Sequence, residues 1–380
     1  MSQAPVAGQE HQAAQGEVPK RVVYLLGAGA SHASAKALGS SQGILMRDLT
    51  DEIARRVREH AERYGSSSSV ARLANEVIGE DTDVEQVITF LDESGSGEHQ
   101  RFANDLRKIF EEVLRERLGA IRTELETVPT GLYAALIDMY EVQGITESLR
   151  GILTLNYDVF LEHAIEKSLG FSVDYGISID NRLEGHKSIR LLKLHGSFGW
   201  QNVWPIELSQ DASIPLWIPP GIQKAKGSYP FNLLWGMARE LLDCDILRIV
   251  GCNLGTNDWD LVSMLFSTQH VHKYRKSYEI EIIDKPGSAE RIKSRFPYLR
   301  AKSLLELEGL GEQIVSEMIG GAPRPYRDLP EPDQKRAAEK ANGMENPLLY
   351  WLKQKAEAMY QDLASLKTEK GYFMRILESY

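Results

Sequence analysis

Five stretches set glycines or polar side chains directly behind apolar runs: GAGAS (27–31), TLNYD (154–158), KLHGS (193–197), GCNLGTND (251–258) and Asp284 at the end of EIEIID. At a strand-to-helix turn, the small residues Gly27, Ala28 and Gly29 let backbone amides approach a pyrophosphate, which the positive end of the helix also favours. His32 stands where the third glycine of the dinucleotide fingerprint would fall, so the same turn also reads as purely structural. Asn156 and Asp158 offer an amide and a carboxylate to a ligand, although either also serves as a helix cap. His195 carries an imidazole, whose pKa lies naturally near neutrality, at the mouth of a strand. In isolation its commoner role is a hydrogen-bonded core residue. Asp284 is placed to accept hydrogen bonds from ribose hydroxyls. A nucleotide crevice explains the five strand ends together, where each alone has a plain structural meaning.

The elements around these stretches predict how they meet. RVVYLLGAGAS reads as a short apolar strand, a glycine turn and a helix, with helical periodicity resuming at ILMRDLTDEIARRVREHAERY. From about residue 66 to 148 the pattern is almost wholly helical, as an insertion would be. Strand character returns at GILTLNYD, IRLLKLHGSFGW, IPLWIPPG, DILRIVGCNLG and EIEIIDKPG, mostly followed by helical stretches. Strands alternating with helices predict an α/β fold with a Rossmann-like, mainly parallel sheet covered on both faces. Residues 1–20 read as a disordered tail and 21–322 as the main domain; 323–380 read as a linker, PRPYRDLPEPDQ, followed by a helical assembly element. That tail carries Leu348, Leu349, Trp351, Leu352, Ala356, Met359, Tyr360, Leu363 and Leu366 as an apolar stripe in need of a covering surface.

Composition narrows the function classes. The formal charge of −10 disfavours a protein that coats nucleic acid through its overall field. No apolar run approaches the roughly 20 residues of a membrane span, and residues 1–20 lack the apolar core of a secretory signal, so a cytoplasmic protein is expected. Cys244 and Cys252 are the only cysteines and cannot form a four-thiolate zinc site. His270 and His272 lack carboxylate companions, and no metal is expected.

GAGAS, TLNYD, KLHGS and GCNLGTND, in this order and with a helical insertion between the first two, resemble the sirtuin-like domain of bacterial antiphage NAD hydrolases over roughly residues 21–310. The architecture is most similar to the stand-alone type that works beside a HerA-type ATPase. The resemblance implies NAD+ as substrate, with Gly27, Ala28, Gly29 and Ser31 at its phosphates, Gly251 and Asn253 among its further contacts, and Asp284 at the adenosine ribose. It also implies Asn156 at the nicotinamide ribose, Asp158 as an acid near the nicotinamide, and His195 as the catalytic histidine. A homo-oligomer or an ATPase partner would follow. Asn253 stands where many relatives have Ser, and the four-cysteine zinc module of deacetylating sirtuins has no counterpart in two cysteines.

The implied reaction breaks the bond between nicotinamide and ribose C1′ with oxocarbenium character. The Asn156 amide would hold a water there and His195 would accept its proton. Binding of NAD or ADP-ribose without turnover, and protein deacylation, are the competing expectations. For the hydrolase, elemental analysis is expected to find no stoichiometric zinc, and a chelator is expected to leave nicotinamide release unchanged. Activity lost with chelator would instead favour a metal-dependent reaction.

Overall fold

The structure, a computed structural model, describes residues 18–40, 43–63, 83–126, 131–141, 146–177, 187–203, 205–209, 212–219, 227–255, 258–272, 278–305, 312–342 and 346–364. The tail expected to be disordered lies outside them up to residue 17. The chain enters the fold with β1 (Lys20–Leu26), followed by α1 (Ala28–Ala37), α2 (Met46–Arg63), α3 (Val84–Glu93), α4 (Gly97–Glu126) and α5 (Leu132–Asp138). Next come β2 (Glu147–Thr154), α6 (Phe160–His163) with a π-helical turn to Ser168, β3 (Ser172–Asp174) and β4 (Ser188–Lys193). Three short strands, β5 (Gly196–Gln201), β6 (Glu207–Leu208) and β7 (Pro215–Trp217), precede α7 (Phe231–Leu241) and β8 (Ile246–Val250). The chain then runs through α8 (Trp259–His272), β9 (Glu279–Ile283), α9 (Pro286–Arg295), β10 (Ala301–Ser303), α10 (Glu312–Ile319), α11 (Glu331–Asn342) and α12 (Pro347–Ala364).

Seven strands form one parallel sheet in the order β10-β9-β8-β1-β2-β4-β3, the Rossmann-like α/β arrangement expected. Its centre is buried on both faces and apolar except at Arg248: every residue of β8 is buried, as are Val22–Leu26 of β1, because helices cover the sheet from both sides. The chain leaves β1 toward β2 on one side and returns to β8 on the other, so the order reverses at β1 and opens a crevice at the carboxyl edge. Register sharpens this. Leu26 pairs with Thr154 and Val250, Thr154 with Lys193, and Val250 with Ile283. The last residues of five strands thus form one row, and the chemistry-bearing turns leave it side by side. β5, β6 and β7 form a small antiparallel sheet that the sequence did not foretell.

The helical layer between β1 and β2 begins earlier than the expected boundary at about residue 66: α2 packs on α4, with Arg56 paired to Glu116 across them. The stretch 323–334 is not simply a linker. Leu329 is buried and α11 begins at Glu331, packing on α10.

The C-terminal stripe also has its cover within the chain. Leu348, Trp351, Leu352 and Ala356 are buried where α12 crosses α1, α5 and β9, and the Asn346 side chain donates to Ala33 O at 2.8 Å. These turns therefore do not present the stripe to another subunit; Tyr360, Leu363 and Leu366 lie outside the described side chains. Under α12 lies Arg248, 1% exposed, whose guanidinium donates to Glu147 at 2.6 and 2.8 Å, to Glu281 at 2.8 Å and to Tyr140 at 2.9 Å. The Trp351 ring lies 5.3 Å from it, and Lys355 reaches Glu147 at 3.5 Å. An ion so buried is tolerable only when fully partnered, and the helix completes the shell. Trp351→Ala is therefore expected to lower stability by about 3–5 kcal/mol, read as a lower urea midpoint. An unchanged midpoint would show that α12 is detachable.

Candidate active site

The carboxyl edge of the sheet opens on a cavity of about 1240 Å³ walled by Gly27–Gly29, Asn156–Asp158, His195, Gly251–Gly255 and Asp284–Lys285. Its floor is a contact between two backbones. Gly27 N–H donates to Val250 O at 3.0 Å and Gly29 N–H to Gly251 O at 2.8 Å. Gly251 has φ +55, and a Cβ there would sit 2.2 Å from Ala30 N; one on Gly29 would sit 2.8 Å from the Gly251 Cα. The glycines are therefore needed to let the turns interlock. The Gly27 and Gly29 amides thus have carbonyl partners, while exposed Ala28 and the start of α1 line the cavity.

Ser31 is wholly buried beneath the floor, where it donates to Asp158 Oδ2 at 2.7 Å while accepting from Asn156 Nδ2 at 2.9 Å. Its one hydrogen is thereby committed, so the Tyr133 hydroxyl, 2.8 Å away, donates to it. Asn156 Nδ2 also donates to Gly27 O at 2.9 Å, which fixes the orientation of the amide because a carbonyl only accepts. Asp158 Oδ1 accepts from the N–H of Phe160, the first residue of α6, at 3.1 Å. Both Asp158 oxygens thus have partners within the protein.

His195 leaves the row through a turn that Gly196, φ +77, makes possible; a Cβ there would meet Leu216 O at 2.3 Å. Leu194 N–H donates to Thr154 O at 3.0 Å and Ile218 N–H to His195 O at 2.8 Å, so the backbone is held on both sides. The Tyr157 ring lies 6.2 Å from the imidazole, is stacked on Phe198 at 5.5 Å and donates through its hydroxyl to Ile218 O at 3.0 Å. The imidazole is 4% exposed and lines the cavity. The backbone of His195 is thus held in place at the cavity wall.

Several wall residues were not anticipated. Phe110, Leu114 and Leu118 enter from α4 at successive fourth positions, a spacing that announces an amphipathic helix but not what it covers. Phe110 stacks on Trp217 of β7 at 6.3 Å, which joins the helical layer to the small sheet. His32 and Lys36 come from α1, and Lys285, Ser288 and Arg291 from the start of α9. Asn253 is exposed in the wall beside buried Cys252. Among the described residues no three potential metal ligands gather, and no helix is long and apolar enough to cross a membrane.

No protein-family model and no curated protein matches the chain. Solved structures to which it is similar include two mutant Sir2 homologues in complex with ADP-ribose, each 14% identical over 74% of this chain and 92% of theirs, with TM-scores of 0.34 and 0.32. Another, described as a structural basis for the mechanism and regulation of Sir2 enzymes, is 15% identical over 72% of this chain and 84% of its own, with a TM-score of 0.37. Likeness at such TM-scores carries no argument, and the fold and site are argued from this chain's own residues.

Asp284, half-buried at the end of β9, accepts from Lys285 N at 2.7 Å, and burial pushes its carboxyl above the ordinary range against the pull of Arg291 and Lys285. A raised folded-state pKa means that the associated stability is full below the unfolded value, near ~3.9. It is lost as pH rises through the folded one. Asp284→Asn, which removes the charge, is expected to raise the unfolding midpoint at neutral pH and leave it unchanged below the ordinary carboxylate range. A midpoint that falls at neutral pH would show that the carboxylate is favourably held.

Proposed function

We propose that the protein is an NAD glycohydrolase that converts NAD+ and water to ADP-ribose, nicotinamide and a proton, and that it acts in antiphage defence by depleting the cofactor. The observation that supports this reading is the row of strand ends, which delivers Asn156, His195, the Gly27–Gly29 turn, Gly251–Asn253 and Asp284 to a single cavity. The ordered motifs of the sirtuin-like hydrolases fall on those same strand ends.

In the proposed reaction the nicotinamide–C1′ bond breaks ahead of attack, leaving positive charge on the ribose, and water oxygen forms the new bond to C1′. Bonds from Asn156 Nδ2 to Gly27 O and Ser31 Oγ hold the amide rigidly, with its carbonyl oxygen uncommitted by them and suited to accept from that water. His195, fixed by its turn and by Tyr157, takes the proton. The pyrophosphate lies over Ala28 at the start of α1, and Asp284 meets the adenosine ribose. Phe110, Leu114 and Leu118 limit bulk water over the reacting end. A homo-oligomer or a HerA-type ATPase would control the enzyme in the cytoplasm. Retention of NAD or ADP-ribose by a regulatory subunit without cleavage is the second reading, favoured by the inward engagement of Asp158 and Ser31.

Nicotinamide release from NAD+, followed with and without the candidate ATPase, separates the two. His195→Ala and Asn156→Ala are each expected to lower the rate about 10²-fold or more. Folding of each variant is checked by circular dichroism. Wild-type rates in either folded variant would remove the mechanism, and binding without any release by the wild type would favour the second reading.

A further inference from the structure

Behind the turn that carries Asn156 and Asp158 lies a charged pair that the proposed chemistry does not use. Lys193, the last residue of β4, is 1% exposed. Its Nζ donates to Glu162 Oε1 at 2.8 Å and also to the backbone carbonyl of Asp158. Glu162 lies on α6 one turn beyond Asp158, and its side chain is 9% exposed. Burial pushes its carboxyl upward while Lys193 pulls it back. Removing two ions from water costs several kcal/mol each, and well-packed apolar side chains of similar volume often serve stability as well or better. Stability alone is therefore a weak account of the pair.

Its geometry gives a better one. A single ammonium joins the end of β4, two residues before His195, to α6 and to the Asp158 carbonyl. Leu194 N–H is bonded to Thr154 O in the neighbouring strand, so the β4 end is itself referenced to the end of β2. The turn between Thr154 and Phe160 is thus gripped from the strand below it through Lys193. It is also gripped from its own end, where Asp158 accepts from Phe160 N–H and from Ser31. Lys193 is the charged link between the Asn156 side and the His195 side of the cavity, beside the bonds to Tyr157 O from Phe198 N–H at 3.0 Å and from Ser197 Oγ at 3.3 Å.

We propose that Lys193 and Glu162 are positioning residues, a buried strut that sets the Asn156–Asp158 turn against His195. Neither touches the reacting atoms. The kinetic consequence rests on the NAD-cleaving reading above, while the geometric one does not. Misplacing a catalytic group by about 1 Å can cost as much as 10²-fold in rate.

The test uses the full chain with both charges removed together, Lys193→Met with Glu162→Leu, so that no lone ion is left buried; Glu162→Gln, which keeps an acceptor for Lys193, is a second variant. Backbone amide exchange is measured over residues 155–160 and over β1 and β8, alongside kcat and KM for nicotinamide release. In the double variant, exchange at 155–160 is expected to rise about tenfold or more while β1 and β8 stay protected. KM is expected to hold within about twofold while kcat falls roughly 10- to 100-fold. Glu162→Gln should lie between it and the wild type. Unchanged exchange at 155–160 in the folded double variant overturns the proposal. So does protection lost equally across β1 and β8 in both variants, because the pair would then hold the fold as a whole. If the wild type releases no nicotinamide, the reading of the function fails by itself, and the exchange measurement still decides the strut.

Discussion

The site depends on two backbones touching. Gly29 N–H bonds Gly251 O, and the left-handed Gly251 leaves no room for a side chain against Ala30 N. This contact fixes β1 and β8 to each other just where their connections diverge, which holds the crevice open at a set width. It also places the first turn of α1 and starts the chain toward Asn253. The next residue, Leu254, is buried with φ 45, a conformation costly for a branched side chain. The fold holds that strain at the lip of the cavity, with Leu254 O accepting from Arg295 at 3.3 Å.

From that contact the rest follows by register. A parallel sheet transmits position along its hydrogen bonds, so fixing Leu26 beside Val250 and Thr154 also fixes Lys193 and Ile283. The polar groups beyond each strand end then need only short turns to converge. Buried hydrogen bonds among Tyr133, Ser31, Asn156 and Asp158 lock one side of that convergence. Such a network specifies one arrangement only when its members are satisfied, and the donor and acceptor assignments here close on one another.

Much of this was legible in the sequence because strands buried on both faces leave dense apolar runs. VVYLL is such a run, ILRIV is one interrupted by Arg248, and the polar or glycine residue after each marks where the chain emerges. The members of the crevice were readable for the same reason. Register and hydrogen-bond commitment were not. Nothing in GAGAS says that two of its amides meet carbonyls from a turn more than two hundred residues away, or that Ser31 faces inward to Asp158. The three-residue strands β3 and β10 are too short to show a period, and β6 is shorter still. The stripe of α12 reported that it needed cover; only the structure identifies that cover as α1, α5 and β9. Amphipathicity records a demand, not the surface that meets it.

The cavity's two ends differ in a way that orients an asymmetric ligand. Around His195 the wall carries aromatic rings, with Tyr157 6.2 Å from the imidazole and Phe110 joined to Tyr157 through Trp217, and the carboxylates of Glu85 and Asp258 act on Tyr157 there. Around Asp284 it is polar, with Lys285, Ser288 and Arg291. A dinucleotide laid along the row would place its hydroxyl-rich, anionic stretch toward the second end and its cleavable bond toward the first. The aromatic end lowers the local dielectric and strengthens the interaction of each fixed dipole with a developing cation. Lys285 and Arg291 at the Asp284 end attract an anionic stretch and the carboxylates near Tyr157 repel it, so the two ends are not equivalent for a dinucleotide. The helical layer between β1 and β2 thus does more than cover the sheet: α4 supplies Phe110, Leu114 and Leu118 to the wall of the proposed site.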